Sequence, residues 1–140
     1  MIVNDKIIEE KRFEVVKFLG EWSTDHFEIF FQRLLRKQDF RLVDKFLVDL
    51  RFVNLRPAGN DFSSVIHIIE NLPKKEYLVV HLVDQPFSTA KVHLFLDDLM
   101  EKGFNFMYCS TVEYALKLLK LDFTENEMND ILKNLVQPVE

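Results

Sequence analysis

The residues able to perform nucleophilic or acid–base chemistry are few in this chain and lie far apart. The single cysteine, Cys109, ends a β-rich run directly before a helix start, where a helix dipole would favour the thiolate. Asp84 directly follows the most apolar run. A free cysteine is more commonly a small buried residue, and no histidine is recognisably placed to activate this one. An enzyme using Cys109 or Asp84 is therefore the remote alternative.

Histidine spacing does not predict a metal site. No histidine pairs with another histidine, the cysteine or a carboxylate at the spacing that metal sites use. The four histidines are His26, His67, His81 and His93. His81 lies in the most apolar run, so a core histidine bonded to backbone groups is favoured over a catalytic one. We predict no bound metal.

Glycine spacing argues against nucleotide chemistry. The chain has three glycines, Gly20, Gly59 and Gly103, and no two are close in sequence. Neither the phosphate-binding loop of nucleotide hydrolases nor the dinucleotide-binding turn can be assembled from them. We therefore predict no cofactor and a non-enzymatic protein.

Polar residues gather where the β-rich runs end. In open α/β sheets, ligands bind outside the carboxyl ends of the strands, so these residues predict a ligand or partner rim. The rim residues are Asn54, Asp84, Gln85, Ser110 and Thr111. Helix capping alone would explain why Ser110, and Ser88 or Thr89 beside the rim, are polar, without any ligand. Capping is the favoured interpretation.

Asp49 is a carboxylate inside an apolar run and needs a partner if it is buried. Strict alternation places Asp49, Arg51 and Val53 on one face of a strand and Phe52 on the other. An ion pair between Asp49 and Arg51 is favoured over a functional role for Asp49.

Five segments repeat apolar residues at i, i+3, i+4 and i+7, the spacing of a helix with one apolar face. These helical segments are Phe27–Leu35, Phe62–Ile69, Val92–Leu99, Val112–Leu119 and Met128–Leu135, and the β-rich runs are Phe46–Leu50, Tyr77–Val83 and Phe104–Tyr108. Alternating strands and helices predict an α/β fold. We expect one mixed sheet of about five strands, an N-terminal β-hairpin, helices packed on the sheet, and a C-terminal helix over about residues 125–136.

Local signals predict where the helices begin and end. Ser23 should cap the first helix, with Trp22 packed on Phe27. Gly103 should follow the end of the third helix. The other predicted signals are a cap at Asn60 or Asp61 and an end near Pro73 for the second helix, and capping boxes at Ser110–Glu113 and Thr124–Glu127.

Length and composition indicate one domain spanning residues 1–140. The chain has 140 residues, 48% of them hydrophobic, and a formal charge of −5, which argues against binding duplex nucleic acid or anionic membrane. One cysteine excludes an internal disulfide. No leader segment and no run of roughly 18 apolar residues is visible, so we expect a cytoplasmic protein without stable membrane insertion.

Three segments carry a resemblance to a known family. They are Phe18-Leu-Gly-Glu-Trp-Ser-Thr-Asp25, Phe46-Leu-Val-Asp-Leu-Arg51 and Cys109-Ser-Thr-Val-Glu-Tyr-Ala-Leu-Lys-Leu-Leu119. With them the chain resembles the SpoIIAA-like family, also described as STAS/SEC14-like, which is similar to anti-sigma-factor antagonist domains. The resemblance covers about residues 6 to 121.

This resemblance implies a bacterial-type regulatory module that binds a partner protein and is switched by phosphorylation at the start of the second helix. Asn60-Asp-Phe-Ser-Ser64 stands where the family has Asp-Ser-Ser-Gly, which leaves Ser63 and Ser64 as candidates. SEC14-like relatives imply an alternative, a binder or sensor of an apolar or lipid ligand. That alternative expects a cavity lined by Phe27, Phe30, Phe95 or Phe106. A homodimer that forms through the C-terminal helix is a further alternative, which the sequence does not decide.

Overall fold

Five strands form one sheet whose spatial order follows the sequence. A computed structural model describes residues 1–59, 62–72 and 76–135. Its strands are β1 (Ile2–Ile8), β2 (Phe13–Glu21), β3 (Lys45–Asn54), β4 (Leu78–Leu82) and β5 (Asn105–Cys109). β1 pairs with β2 in an antiparallel hairpin, and β2 through β5 are parallel neighbours. The predicted mixed sheet with an N-terminal hairpin is confirmed.

Helices cover both faces of the sheet. Three of them connect successive parallel strands and lie on one face: α1 (Thr24–Arg36), α2 (Ser63–Ile69) and α3 (Pro86–Glu101). Crossovers of one handedness between sequential strands place their helices on the same face. After β5 the chain passes to the other face and forms α4 (Val112–Leu119) and α5 (Glu125–Asn134).

The two faces bury different side chains. Between the sheet and α1–α3 lies an aromatic layer, which includes Phe18, Phe27, Phe30, Phe46, Phe95 and Phe106. Between the sheet and α4–α5 lies an aliphatic layer, which includes Leu47, Val80, Leu82, Leu116, Leu119 and Met128. The parallel strands are apolar on both faces because each face packs against helices.

The strict alternation predicted along β3 is wrong at its carboxyl end. Lys17 of β2 pairs with Asp49, but Leu19 pairs with Phe52, so β3 carries one extra residue. Such a β-bulge reverses the faces of the residues that follow. Val53 is consequently buried in the aromatic layer, while Phe52 turns outward and is 53% exposed.

Most predicted helix starts are confirmed. The Ser23 hydroxyl accepts the His26 amide at 3.2 Å, and Trp22 packs on Phe27 with ring centroids 5.4 Å apart. Thr124 and Glu127 form the predicted capping box at α5. The box predicted at Ser110 is wrong: Thr111 is the cap of α4, and its hydroxyl accepts the Tyr114 amide at 3.2 Å.

The second helix is shorter than predicted, since α2 ends at Ile69. Its N-cap position is Phe62, whose side chain makes no capping bond, while the predicted Asn60, Asp61 and Pro73 lie outside the described residues. Gly103 follows Lys102, the C-cap residue of α3, and has a φ of +92°, as predicted for a residue following a helix end.

The apolar face of α5 packs inside the chain. Met128 and Leu132 are buried in the aliphatic layer. The apolar face of α5, on which the possible homodimer was based, therefore already packs against this chain. Across the parts of the chain that are described, no helix combines the length and apolar character needed to cross a membrane.

Candidate functional site

An open cleft lies at the carboxyl ends of β4 and β5, where the predicted rim was expected. Its volume is about 700 Å³, within the range of small-molecule sites. It is lined by Val83, Asp84, Pro86, Thr89, Ala90, His93, Leu94, Tyr108 and Ser110. The cleft is therefore bounded by the loop after β4, the first half of α3 and the end of β5.

Two of the five predicted rim residues, Asp84 and Ser110, line this cleft. Gln85 precedes α3 beside it, and its carbonyl accepts the Thr89 hydroxyl at 2.8 Å. Thr111 is used as the α4 cap. The side chain of Asn54 closes a turn by accepting the Arg56 amide at 3.1 Å, away from the cleft.

Capping explains less of the rim than predicted. Gln85 is the N-cap of α3 and makes no side-chain capping bond. Ser88 is buried inside the helix, and the Thr89 hydroxyl bonds back to the Gln85 carbonyl. Of the predicted caps Ser88, Thr89 and Ser110, none performs that role, which leaves the Ser110 hydroxyl exposed in the cleft.

The cleft contains a hydrogen-bonded pair that the sequence interpretation missed. His93 Nδ1 and the Tyr108 hydroxyl are 3.0 Å apart, and His93 Nε2 is 3.5 Å from the Asp97 carboxylate. His93 and Asp97 are four residues apart on α3, a spacing visible in the sequence. Tyr108 becomes their neighbour only through the packing of α3 on β5, which the sequence does not reveal.

Cys109 does not share the cleft with Asp84. Its side chain packs against the aliphatic layer, on the face opposite Tyr108, and its thiol lies 3.5 Å from the Thr111 carbonyl. Burial raises the pKa of the Cys109 thiol, contrary to the lowering expected from the helix start. The two residues considered for catalysis therefore do not form one site.

Ser63 and Ser64 occupy the first turn of α2, and both are exposed. Access by a modifying enzyme is thus sterically open at both positions. Neither residue lines the cleft or the cavity described next.

A second concavity lies within the aromatic layer, between the sheet and α1–α3. This aromatic cavity has a volume of about 100 Å³. Phenylalanines dominate its lining, and all four that the apolar-ligand alternative expected, Phe27, Phe30, Phe95 and Phe106, are among them. Among the described residues that line it, His81 is the only one with an ionisable side chain.

His81 is held by the neighbouring strand. Its Nδ1 lies 3.1 Å from the Met107 carbonyl of β5, which confirms the prediction of a core histidine bonded to the backbone. Its ring lies against Phe95 and Phe106, with centroids 6.4 and 5.7 Å away. Burial lowers the pKa of His81 to about 4, although the bond to Met107 opposes the shift, so the ring is neutral at physiological pH.

The predicted ion pair of β3 is confirmed on the opposite face. Arg51 Nε and Nη2 donate to the two carboxylate oxygens of Asp49, each at 3.0 Å, and Asp49 is fully buried. Lys17 and Arg51 both lie over the exposed ring of Phe52, at 4.5 and 5.2 Å from its centroid. Every group in this cluster has a partner, so the arrangement is structural.

A buried carboxyl pair joins β1, β2 and the end of α1. Glu14 is fully buried, and no group among the described residues donates to its oxygens. Burial raises the pKa of Glu14 to about 9, reinforced by its hydrogen bond to Asp5 and by the charge of Asp5. Protonated Glu14 therefore donates to Asp5, which also accepts from Lys37 at 2.9 Å. Although burial opposes it, these two bonds lower the pKa of Asp5.

Within the described parts of the chain, no group of three or more histidine, cysteine or acidic side chains is arranged to hold a metal ion. Comparison with known proteins gives no match: no family model fits the chain, and neither a curated protein nor a solved structure matches it. The SpoIIAA-like resemblance accordingly stays a prediction.

Proposed function

We propose that this chain is a non-enzymatic binding module whose ligand is a small apolar molecule held in the aromatic cavity. The observation that carries the proposal is the cavity itself, an unfilled space of about 100 Å³ surrounded by phenylalanines. Close packing is the norm in protein interiors, and voids larger than a water molecule are few. The SEC14-like part of the resemblance supports the same ligand class.

The size of the cavity limits the ligand to one small ring or a short alkyl chain. An engineered apolar cavity of about 150 Å³ stays dry and binds benzene or xenon. The aromatic cavity is somewhat smaller and has the same apolar character. A long acyl chain would need the helices to separate, so we propose a compact ligand.

The test is a benzene titration of the protein followed by amide and indole NMR. The only tryptophan, Trp22, lines the cavity, so its single indole resonance reports on occupancy. Benzene should shift this resonance and those of the residues around the cavity, and should leave the aliphatic layer unchanged. Absence of any shift up to the solubility limit of benzene would contradict the proposal.

Two phenylalanine substitutions make a matched pair for this titration. Val65→Phe places a ring in the cavity from α2 and should abolish the benzene shifts. Ile131→Phe adds the same ring on α5, against the aliphatic layer, and should leave the shifts intact. Equal benzene binding by both variants would show that benzene binds elsewhere.

A second candidate function is a regulatory module that binds a protein partner in the cytoplasm, as the antagonist side of the resemblance implies. The observation that favours it is Leu94, which is 69% exposed at the edge of the cleft. An apolar side chain beside the polar pair His93 and Tyr108 offers both an anchor and hydrogen bonds to a partner. Phosphorylation of Ser63 or Ser64 would then regulate this binding.

Affinity capture with two charge substitutions on α3 tests the second candidate. Leu94→Glu should abolish capture of a specific partner from native lysate. Met100→Glu is the control, since Met100 is 55% exposed on the same helix but does not line the cleft. Capture that is insensitive to Leu94→Glu, or no specific partner under any growth condition, would count against this function.

A further inference from the structure

The aromatic cavity contains one hydrogen-bonding position with a defined polarity. The Met107 carbonyl can only accept, so His81 Nδ1 must carry the proton in their 3.1 Å contact. In the neutral ring the other nitrogen, Nε2, then carries a lone pair and acts as an acceptor. The tautomer of His81 is thus set by the neighbouring strand.

This acceptor is unused, and the side chain that carries it is largely buried. His81 is 6% exposed, and no residue that the structure describes forms a hydrogen bond with its Nε2. Of the cavity-lining residues that the structure describes, the only other one with a polar side-chain group is Trp22, whose indole N–H already donates to the Thr24 hydroxyl at 2.9 Å. A ligand hydroxyl that donates to Nε2 would add one hydrogen bond, with a net contribution of about 0.5–1.5 kcal/mol.

We infer that the ligand of the aromatic cavity is a neutral, ring-sized molecule with one hydroxyl group, which donates a hydrogen bond to His81 Nε2. The inference rests on the proposed function and adds to it the polar group that the site recognises. Phenols and small alcohols are the chemical class that fits.

The charge environment excludes ionised ligands. No Lys, Arg, Asp or Glu is found among the described residues that line the cavity, so a carboxylate or an ammonium group would be buried without a counter-charge. Burial also keeps His81 neutral down to a pH of about 4, so it offers no positive charge to an anion. A neutral donor satisfies Nε2 without this cost.

Benzene and phenol are the probes that separate this inference from the proposed function, because they differ by one hydroxyl group. Both are titrated into protein carrying ¹⁵N-labelled histidine. Phenol should move the ¹⁵N resonance of His81 Nε2 upfield, as expected when an unprotonated ring nitrogen accepts a hydrogen bond. Benzene should shift the Trp22 indole resonance but leave His81 Nε2 largely unchanged.

The variant His81→Leu measures how much the hydrogen bond to His81 contributes to ligand affinity. His81→Leu keeps a side chain of similar volume but removes the acceptor. The ratio of phenol affinity to benzene affinity should fall about tenfold in this variant relative to the wild type. If His81→Leu does not fold, the ¹⁵N measurement on the wild-type protein decides alone.

Two results would overturn the inference and mean different things. Benzene binding in the cavity together with an unperturbed His81 Nε2 in the presence of phenol would refute the hydroxyl ligand and leave the apolar-ligand function standing. Failure of both probes to shift any cavity residue would refute the proposed function itself.

Discussion

At the scale of single residues, the buried ionisable groups of this chain differ in how they are satisfied. Asp49 has a bidentate arginine partner, Glu14 shares its proton with Asp5, and His81 uses one ring nitrogen and leaves the other unbonded. The Asp49–Arg51 pair neutralises a buried charge within β3, and the Glu14–Asp5 pair links β2 to β1. The third leaves a hydrogen-bonding position inside a cavity, and this is why the proposed ligand site is centred on His81.

Breaking the Asp49–Arg51 pair should be costly. Asp49→Asn removes the charge opposite Arg51, whose side chain is only 20% exposed, and should lower the free energy of unfolding by about 3 kcal/mol. Asp44→Asn breaks the exposed pair with Arg12 and should cost less than about 1 kcal/mol. Urea unfolding of both variants measures the difference. Equal losses would mean that Arg51 is solvated without its partner.

Glu14 should make the protein less stable as pH rises. Its pKa is about 9 in the folded state and about 4.5 in the unfolded chain, so between these values only the folded state keeps the proton. The contribution of Glu14 to the free energy of unfolding is then fully present below about pH 4.5. Between about pH 4.5 and pH 9 the free energy of unfolding falls with a slope approaching 1.4 kcal/mol per pH unit.

Glu14→Gln tests this dependence because the amide can donate to Asp5 at every pH. Urea unfolding between pH 5 and 9 should give a falling stability for the wild type and a flatter profile for the variant. Glu10→Gln, at an exposed position, is the control and should follow the wild type. Parallel profiles for wild type and Glu14→Gln would show that Glu14 is ionised in the folded protein.

Residue-level prediction from the sequence succeeded where a partner lies two positions away, as with Asp49 and Arg51. It missed Glu14, because the partner Asp5 is brought close only by the antiparallel pairing of β1 with β2. The contact between His93 and Tyr108 was missed because it depends on how α3 packs on β5. Contacts between elements depend on strand register, which periodicity does not contain.

At the scale of elements, helix starts were the most predictable features, because a cap involves residues within one turn. Ser23 and Thr124 act as their positions indicated. At α4 the cap moves by one residue, from Ser110 to Thr111, since both have a suitable hydroxyl and the sequence does not distinguish them. The β3 bulge was not predictable, because the extra residue is defined only relative to β2.

Adjacent alanine substitutions test the position of the α4 cap. Thr111→Ala removes the hydroxyl that accepts the Tyr114 amide and should lower the free energy of unfolding by about 1 kcal/mol. Ser110→Ala, one residue earlier and exposed in the cleft, should change the free energy of unfolding by only a few tenths of a kcal/mol. Thermal unfolding of the two variants is sufficient. A larger loss of stability for Ser110→Ala would show that Ser110 is the cap, as the sequence pattern predicted.

At the scale of the whole molecule, sequential strand order determines where ligands can bind. Doubly wound sheets reverse their strand order, and the crevice at that reversal holds the ligand. The described strands follow the order β1-β2-β3-β4-β5 without a reversal, and the cleft lies at the carboxyl ends of β4 and the edge strand β5. The more enclosed space available to an apolar ligand lies instead inside the aromatic layer.

The two helical layers also differ in how well their side chains can fill space. Rigid aromatic rings from α1, α3, the sheet and Phe62 before α2 meet in the aromatic layer, with ring centroids 5.2 to 6.1 Å apart in four of these contacts. The aliphatic layer is built mainly from Leu and Val side chains, with Phe13 as its one fully buried aromatic ring among the described residues. The composition, with 14 phenylalanines, predicts an aromatic core but not the gap that these rings leave.

A crystal structure determined under xenon pressure would examine the aromatic cavity without assuming any natural ligand. Xenon binds apolar cavities of about this size through dispersion contacts. We predict xenon density between Phe95, Phe106 and His81 in the wild-type protein, and none there in Val65→Phe. Wild-type crystals with no xenon between the sheet and α1–α3 would contradict the existence of a ligand cavity in this protein.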